Sequence, residues 1–328
     1  MFKPINSNLT DLLQQKSTCK RASCRTYASS LVKIWRELTD LDRSQMPSNF
    51  KWVDTAKMAP YLSRQTPLTR RKNLATAVLA AMKTLSQPEF RTAVLKVLKD
   101  ADVAYTQFLT TRPRMFTNAV KVWSQIRKAA TDLSRIVKLR RLLRQREHIL
   151  HHDYVTVMRW IFLNWVTYMP PRRLSYRHAR VTSEDAYDAL PLETRKQSNW
   201  VVMTRRGAWL YRMHVYKTHK TRGDIDITIP RQMKTVLKRA MPIIQGKNSQ
   251  GLIFMNSRWK QYSAPNFSTF VRKTFEQTLG QPYTMNTIRS IYISQLFSGA
   301  PPSKQLLAME DQFGTSIRTQ LQHYRSES

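Results

Sequence analysis

Glycine is scarce in this chain: 7 residues in 328, with none before Gly207. That excludes a glycine-rich phosphate loop from the first two-thirds of the protein and favours helix over loop. Cysteine is nearly absent too. Cys19 and Cys24 sit in a basic stretch without further partners, so neither a disulfide framework nor a zinc site is expected, and a reducing compartment is the default. Acidic residues number 21 against 55 lysines and arginines, a net charge of +34. Long apolar runs are missing as well. Residues 1–16 lack the apolar core of a signal peptide, and the most apolar stretch, Trp160 to Met169, is too short to span a bilayer. No membrane association is expected.

What remains is 41% hydrophobic and 10% aromatic, enough to build a core in two domains of ordinary size. The cations are spread over the whole length. A surface so charged repels itself unless a polyanion neutralises it, and counterion release from nucleic acid rewards that neutralisation. Nucleic acid of some kind is the expected partner. A merely solvated basic surface, or a structural protein that packages nucleic acid, would share the composition.

Residues 1–24 read as a flexible basic arm. Tyr27, Leu31, Ile34, Trp35 and Leu38 then mark one face of a helix. Asp54 suits the cap of a short helix bearing Met58, Tyr61 and Leu62. A strong helix opens at Thr66-Pro67, with Leu74, Val78, Leu79, Met82 and Leu85 in line. Arg70, Arg71 and Lys72 crowd its first turn, where cations oppose the helix dipole, and a bound phosphate would explain them. Further helices are expected from Pro88 to about Leu109 and from about Phe116 into the basic run ending at Arg146. After a buried helix from Asp153 to Tyr168 the pattern changes. Trp200–Met203, Trp209–Tyr216 and Ile225–Ile229 read as strands, with turns at Arg205–Ala208 and Thr221–Asp224. Helical patterns resume at Pro230 and continue through Pro265–Leu279, Met285–Phe297 and Lys304–Tyr324.

Four short segments carry the candidate chemistry. In Pro170-Pro171-Arg172-Arg173-Leu174-Ser175 two prolines end the buried helix and hold the following arginines at a set place, which suits bidentate contact with a phosphate. A surface turn that happens to be basic would look the same. Tyr216-Lys217-Thr218-His219-Lys220 lies between two expected strands, from which a lysine can protonate a departing oxygen. Asn286-Thr287-Ile288-Arg289 lies on an amphipathic helix. Phe313-Gly314-Thr315-Ser316 precedes His323-Tyr324. His148, His151 and His152 suggest a metal at first sight, yet a basic linker without nearby carboxylates is the simpler reading.

Together these segments resemble the tyrosine recombinase (phage integrase) family. Its signature has a first arginine in a T-G-x-R-I-S-E-like turn, a lysine on a β-hairpin and an H-x-x-R helix. A G-H-S turn and a nucleophilic tyrosine nine residues after that histidine complete it. The resemblance makes Arg173 the first arginine, Lys217 the hairpin lysine with Lys220 as a competing choice, Arg289 the second arginine and Tyr324 the nucleophile. Asn286 stands where the family has histidine, Thr315 where it has histidine or tryptophan, and Tyr176 where an acidic residue follows the first arginine. The Pro-Pro-Arg-Arg box with a Tyr-Lys-Thr hairpin looks most like recombinases of eukaryotic DNA viruses and related mobile elements.

The fold so implied is mainly α with a small antiparallel β-sheet: a helical core-binding (SAM-like) domain, then a catalytic domain. The expected divisions are a basic arm over 1–24, a core-binding domain over 25–147 and a catalytic domain over 148–328. The implied activity is DNA breaking and rejoining through a 3′-phosphotyrosyl intermediate, in recombination or integration. No metal or nucleotide cofactor is required. Arg70, Arg71, Lys72 and Lys220 would hold the duplex, and self-association on DNA as dimer or tetramer is expected. The protein would work inside the cell at DNA, in the host nucleus if its source is eukaryotic. A catalytically weak or inactive DNA-binding protein on the same fold is one alternative. A type IB topoisomerase or telomere resolvase is another.

Overall fold

The computed structural model describes residues 7–16, 19–39, 47–111, 118–144, 149–171, 174–247, 251–256 and 258–297. Arg173, Thr315 and Tyr324 lie outside the described residues. The described chain is mainly helical with one small sheet, and it divides into two compact units, Met1–Arg112 and Pro113–Ser328.

The first unit is all helical: α1 (Ser7–Lys16), α2 (Arg21–Thr39), α3 (Met58–Ser63), α4 (Leu68–Met82) and α5 (Arg91–Thr111). Its core joins Leu31, Val32 and Ile34 of α2 to Leu74, Val78 and Met82 of α4, on the faces that the 3.6-residue period marks. Two expectations change here. Residues 7–16 are helical rather than an arm, and Leu9 and Leu13, one turn apart, are buried in this core. Asp54 does not cap α3. Its two carboxylate oxygens accept from the backbone N–H groups of Glu89 and Phe90, both at 2.9 Å, just ahead of α5. The carboxylate is thus spent on the donors at a helix entry far along the chain.

The second unit begins with α6 (Ala119–Leu139) and α7 (His151–Tyr168). The expected boundary near residue 147 would group α6 with the first domain. Instead Trp123, Ile126, Leu133 and Val137 belong to the core of the second unit, against α7 and the later helices. Then come β1 (Ala179–Ser183), α8 (Glu184–Asp188), α9 (Leu192–Lys196), β2 (Asn199–Met203), β3 (Trp209–Met213), α10 (His219–Arg222) and β4 (Ile225–Thr228). α11 (Arg231–Lys247), α12 (Ala264–Leu279) and α13 (Met285–Phe297) complete the described part.

The sheet order is β1-β2-β3-β4. β2, β3 and β4 form the expected antiparallel meander. β1, which the periodicity did not reveal, adds to β2 in parallel, so the sheet is mixed. Its outer edge is partly covered: Val181 N–H donates to Gly251 O at 2.8 Å and Ile253 N–H to Ala179 O at 2.9 Å. A side chain at Gly251 would meet the Val181 carbonyl oxygen at 2.3 Å, and its φ is +66°, so only glycine fits this close approach. α7 is buried almost all round, with Trp165 against Tyr176, Tyr211 and Phe254 and Phe162 amid four other phenylalanines. This aromatic mass fixes the ends of the segments that carry the candidate site.

Candidate active site

α13 is the firmest part of the site. The Thr284 hydroxyl accepts from Thr287 N–H at 3.1 Å, and Met285, Ile288, Ile291 and Ile293 are buried. Tyr292 sets its ring edge-on to Trp123 of α6, centroids 4.9 Å apart. Within this apolar setting Arg289 is 3% exposed. Arginine is almost never so buried without partners, because desolvating its charge costs several kcal/mol. A guanidinium held this way loses little freedom on meeting a phosphate. Asn286, one turn earlier, is exposed.

The 214–224 segment between β3 and β4 carries both candidate lysines, and both are exposed. The expected tight turn is instead a longer connection containing α10, with Lys217 just ahead of the helix and Lys220 within it. The Tyr216 hydroxyl donates to Gly223 O at 2.6 Å, and Gly223 N–H donates to His219 O at 2.8 Å. Asp224 Oδ1 lies 2.8 Å from both His214 Nδ1 and His219 Nε2. Burial pushes the Asp224 carboxyl up, but the hydrogen bonds from the two histidines prevail and hold it below its ordinary value. The segment is therefore tied to itself by four contacts before any ligand arrives.

On the N-terminal side of Arg172-Arg173, Pro170 and Pro171 are buried. On the C-terminal side a 3₁₀ turn over Leu174–His178 buries Tyr176, whose hydroxyl donates to the Pro170 carbonyl. The tyrosine that stands in the place of an acidic residue is thus an anchor for both flanks of the arginine pair.

Next to it, His178 Nδ1 lies 2.8 Å from Gln261 Nε2. Burial, with Arg177 and Arg180 adding to it, pushes its pKa down from 6.5 to about 4. Because the unfolded imidazole takes up its proton first, stability should fall as pH drops from about 6.5 to about 4, then level off. Thermal melts across that range should show the decline, and a His178→Gln chain should show less of it.

No family model matches this chain, and no curated protein matches it. Among solved structures it is similar to the crystal structure of XerA recombinase, over 98% of this chain and 93% of that one, with a TM-score of 0.40 and 8% identity.

The first-unit cations have partners within the protein. Arg70 pairs with Glu37 at 3.4 Å, Arg71 Nε donates to Gln65 O at 3.1 Å, and Lys72 pairs with Asp102 beneath the Tyr105 ring. Carboxylates and a carbonyl thus sit against the cations of this helix turn. What the sequence reading missed lies beside them. Thr26, Ser29, Ser30 and Lys33 of α2, with Arg70 and Asn73 of α4, line a shallow groove of about 580 Å³. The positions 26, 29, 30 and 33 follow the helical period opposite the apolar face, so the signal was present. Hydroxyls, an amide and two cations on one surface are the donors that sugar–phosphate backbones take.

His151 and His152 begin α7, and Asp153 beside them is engaged by Arg140 at 2.5 Å. Among the described residues no helix is long and apolar enough to cross a membrane.

Proposed function

We propose that this chain is a tyrosine-type DNA strand transferase that cleaves and rejoins duplex DNA. The Tyr324 phenolic oxygen attacks a phosphorus atom, forming a 3′-phosphotyrosyl bond while the bond to the 5′ oxygen breaks. Arg173 and Arg289 stabilise the charge that builds on the non-bridging oxygens, and Lys217, or Lys220 in its place, gives a proton to the departing 5′ oxygen. Rejoining is the reverse attack by a 5′ hydroxyl. Asn286 donates a hydrogen bond to a phosphate oxygen, Thr315 offers a hydroxyl, and the α2–α4 groove with Arg70, Arg71 and Lys72 contacts the backbone. Within this reading the protein acts as a recombinase or integrase of a virus or mobile element, as a dimer or tetramer on DNA, in the host nucleus if eukaryotic.

The observation that supports the reading most is Arg289: an arginine 3% exposed on an apolar helix, in an N-x-x-R setting upstream of Tyr324. Incubation with a nicked duplex that traps the cleaved state is the direct test. A covalent protein–DNA adduct is expected. A second reading, a DNA-binding protein without cleavage, draws on Asn286, which cannot act as a base where the family has histidine. Tight binding with no adduct would establish it and overturn the first. Relaxation of supercoils in a sequence-independent manner would point instead to topoisomerase action by the same chemistry.

A further inference from the structure

Asn199 is fully buried at the first position of β2, and its side-chain amide makes four hydrogen bonds. Oδ1 accepts from the backbone N–H of His214 at 2.9 Å and of Val215 at 2.7 Å. Nδ2 donates to the carbonyls of Val215 and Ser175, each at 3.0 Å. That is the full capacity of an asparagine amide: two lone pairs and two N–H groups. The β2–β3 ladder ends at the pair Asn199 and Met213. Beyond it the chain must leave the sheet, and buried backbone groups at 214 and 215 need partners. The asparagine side chain takes the place of the missing strand there. It thereby sets where the segment departs, two residues before Lys217. The fourth bond ties the same amide to Ser175, two residues after Arg173 in sequence.

We propose that Asn199 is a positioning residue for proton delivery to the leaving oxygen: it holds the Lys217-bearing segment in place. This rests on the strand-transferase reading. Aspartate at this position can still accept from the two N–H groups but cannot donate to either carbonyl, so Asn199→Asp should misplace the segment without emptying the core.

The test compares two substrates with the full-length protein: an ordinary suicide duplex, and one with sulfur at the bridging 5′ position, whose thiolate leaves without a proton. Asn199→Asp should cleave the ordinary duplex roughly 10²-fold more slowly, the scale of a lost positioned acid. It should cleave the sulfur-bridged duplex within about threefold of wild type, the pattern expected of a lost proton donor, which Lys217→Ala should share. A merely structural role would slow both substrates alike, and that result would overturn the proposal, as would no slowing of either. If Asn199→Asp fails to fold, as judged by melting, Asn199→Ser is read by the same comparison. A wild-type protein that forms no adduct with either duplex would sink the strand-transferase reading itself, an outcome distinct from equal slowing in the variant.

Discussion

A Tyr324→Phe chain is expected to form no covalent adduct with a nicked duplex while binding it within about twofold of wild type, because phosphate contacts from many cations dominate affinity. The change removes one oxygen atom and nothing else. Specificity for this position follows from the other tyrosines, of which the chain has 12 besides Tyr324. Tyr154, Tyr176, Tyr187 and Tyr211 are buried, and the first three spend their hydroxyls on Met255 O, Pro170 O and His214. Burial raises the pKa of Tyr154 and Tyr292 and pushes Tyr262 up to about 12, away from the phenolate a nucleophile must approach. Tyr168 at the end of α7 is exposed and serves as the control. Tyr168→Phe should leave adduct formation unchanged. Adduct persisting in Tyr324→Phe, or vanishing in Tyr168→Phe, would reassign the nucleophile.

Arg289→Ala should lower the cleavage rate by about 10²–10³, the loss associated with one preorganised donor to a developing oxyanion. Duplex affinity and its salt slope should change little, because one buried cation contributes about one phosphate contact among many. Arg289→Lys retains charge but not the planar fork, and should recover only part of the rate. Single-turnover cleavage, filter binding over a salt series and thermal melting separate the three effects. Parallel loss of binding and cleavage would mean that Arg289 supports the fold rather than the chemistry.

Helices were legible where an apolar stripe repeats on one face, as in α2, α4 and α13, and strands where short β-branched or aromatic runs are bounded by turns, as in β2, β3 and β4. β1 was not, because Ala-Arg-Val-Thr-Ser has no alternation strong enough to identify a strand. It becomes one through pairing with Asn199–Met203 and through the covering segment at Gly251. α1 was hidden by its polar composition, although Leu9 and Leu13 share a face. The candidate site residues could be named from sequence because charge and spacing are local properties and the short segments resemble a family signature. Asn199, His214 and Asp224 could not, since nothing near any of them announces a partner 10 to 16 residues distant.

By itself, then, the sequence determined that this protein is cationic, helix-rich and short of glycine, and which arginines, lysines and tyrosine could serve a phosphate. Tertiary structure alone decided which of those charges the protein already engages. Arg70 and Lys72 meet carboxylates from other helices, and Arg289 is buried where α13 packs into the core. The reason is physical. Net charge and periodicity are sums over neighbours in the chain, but desolvation and hydrogen-bond partners depend on neighbours in space.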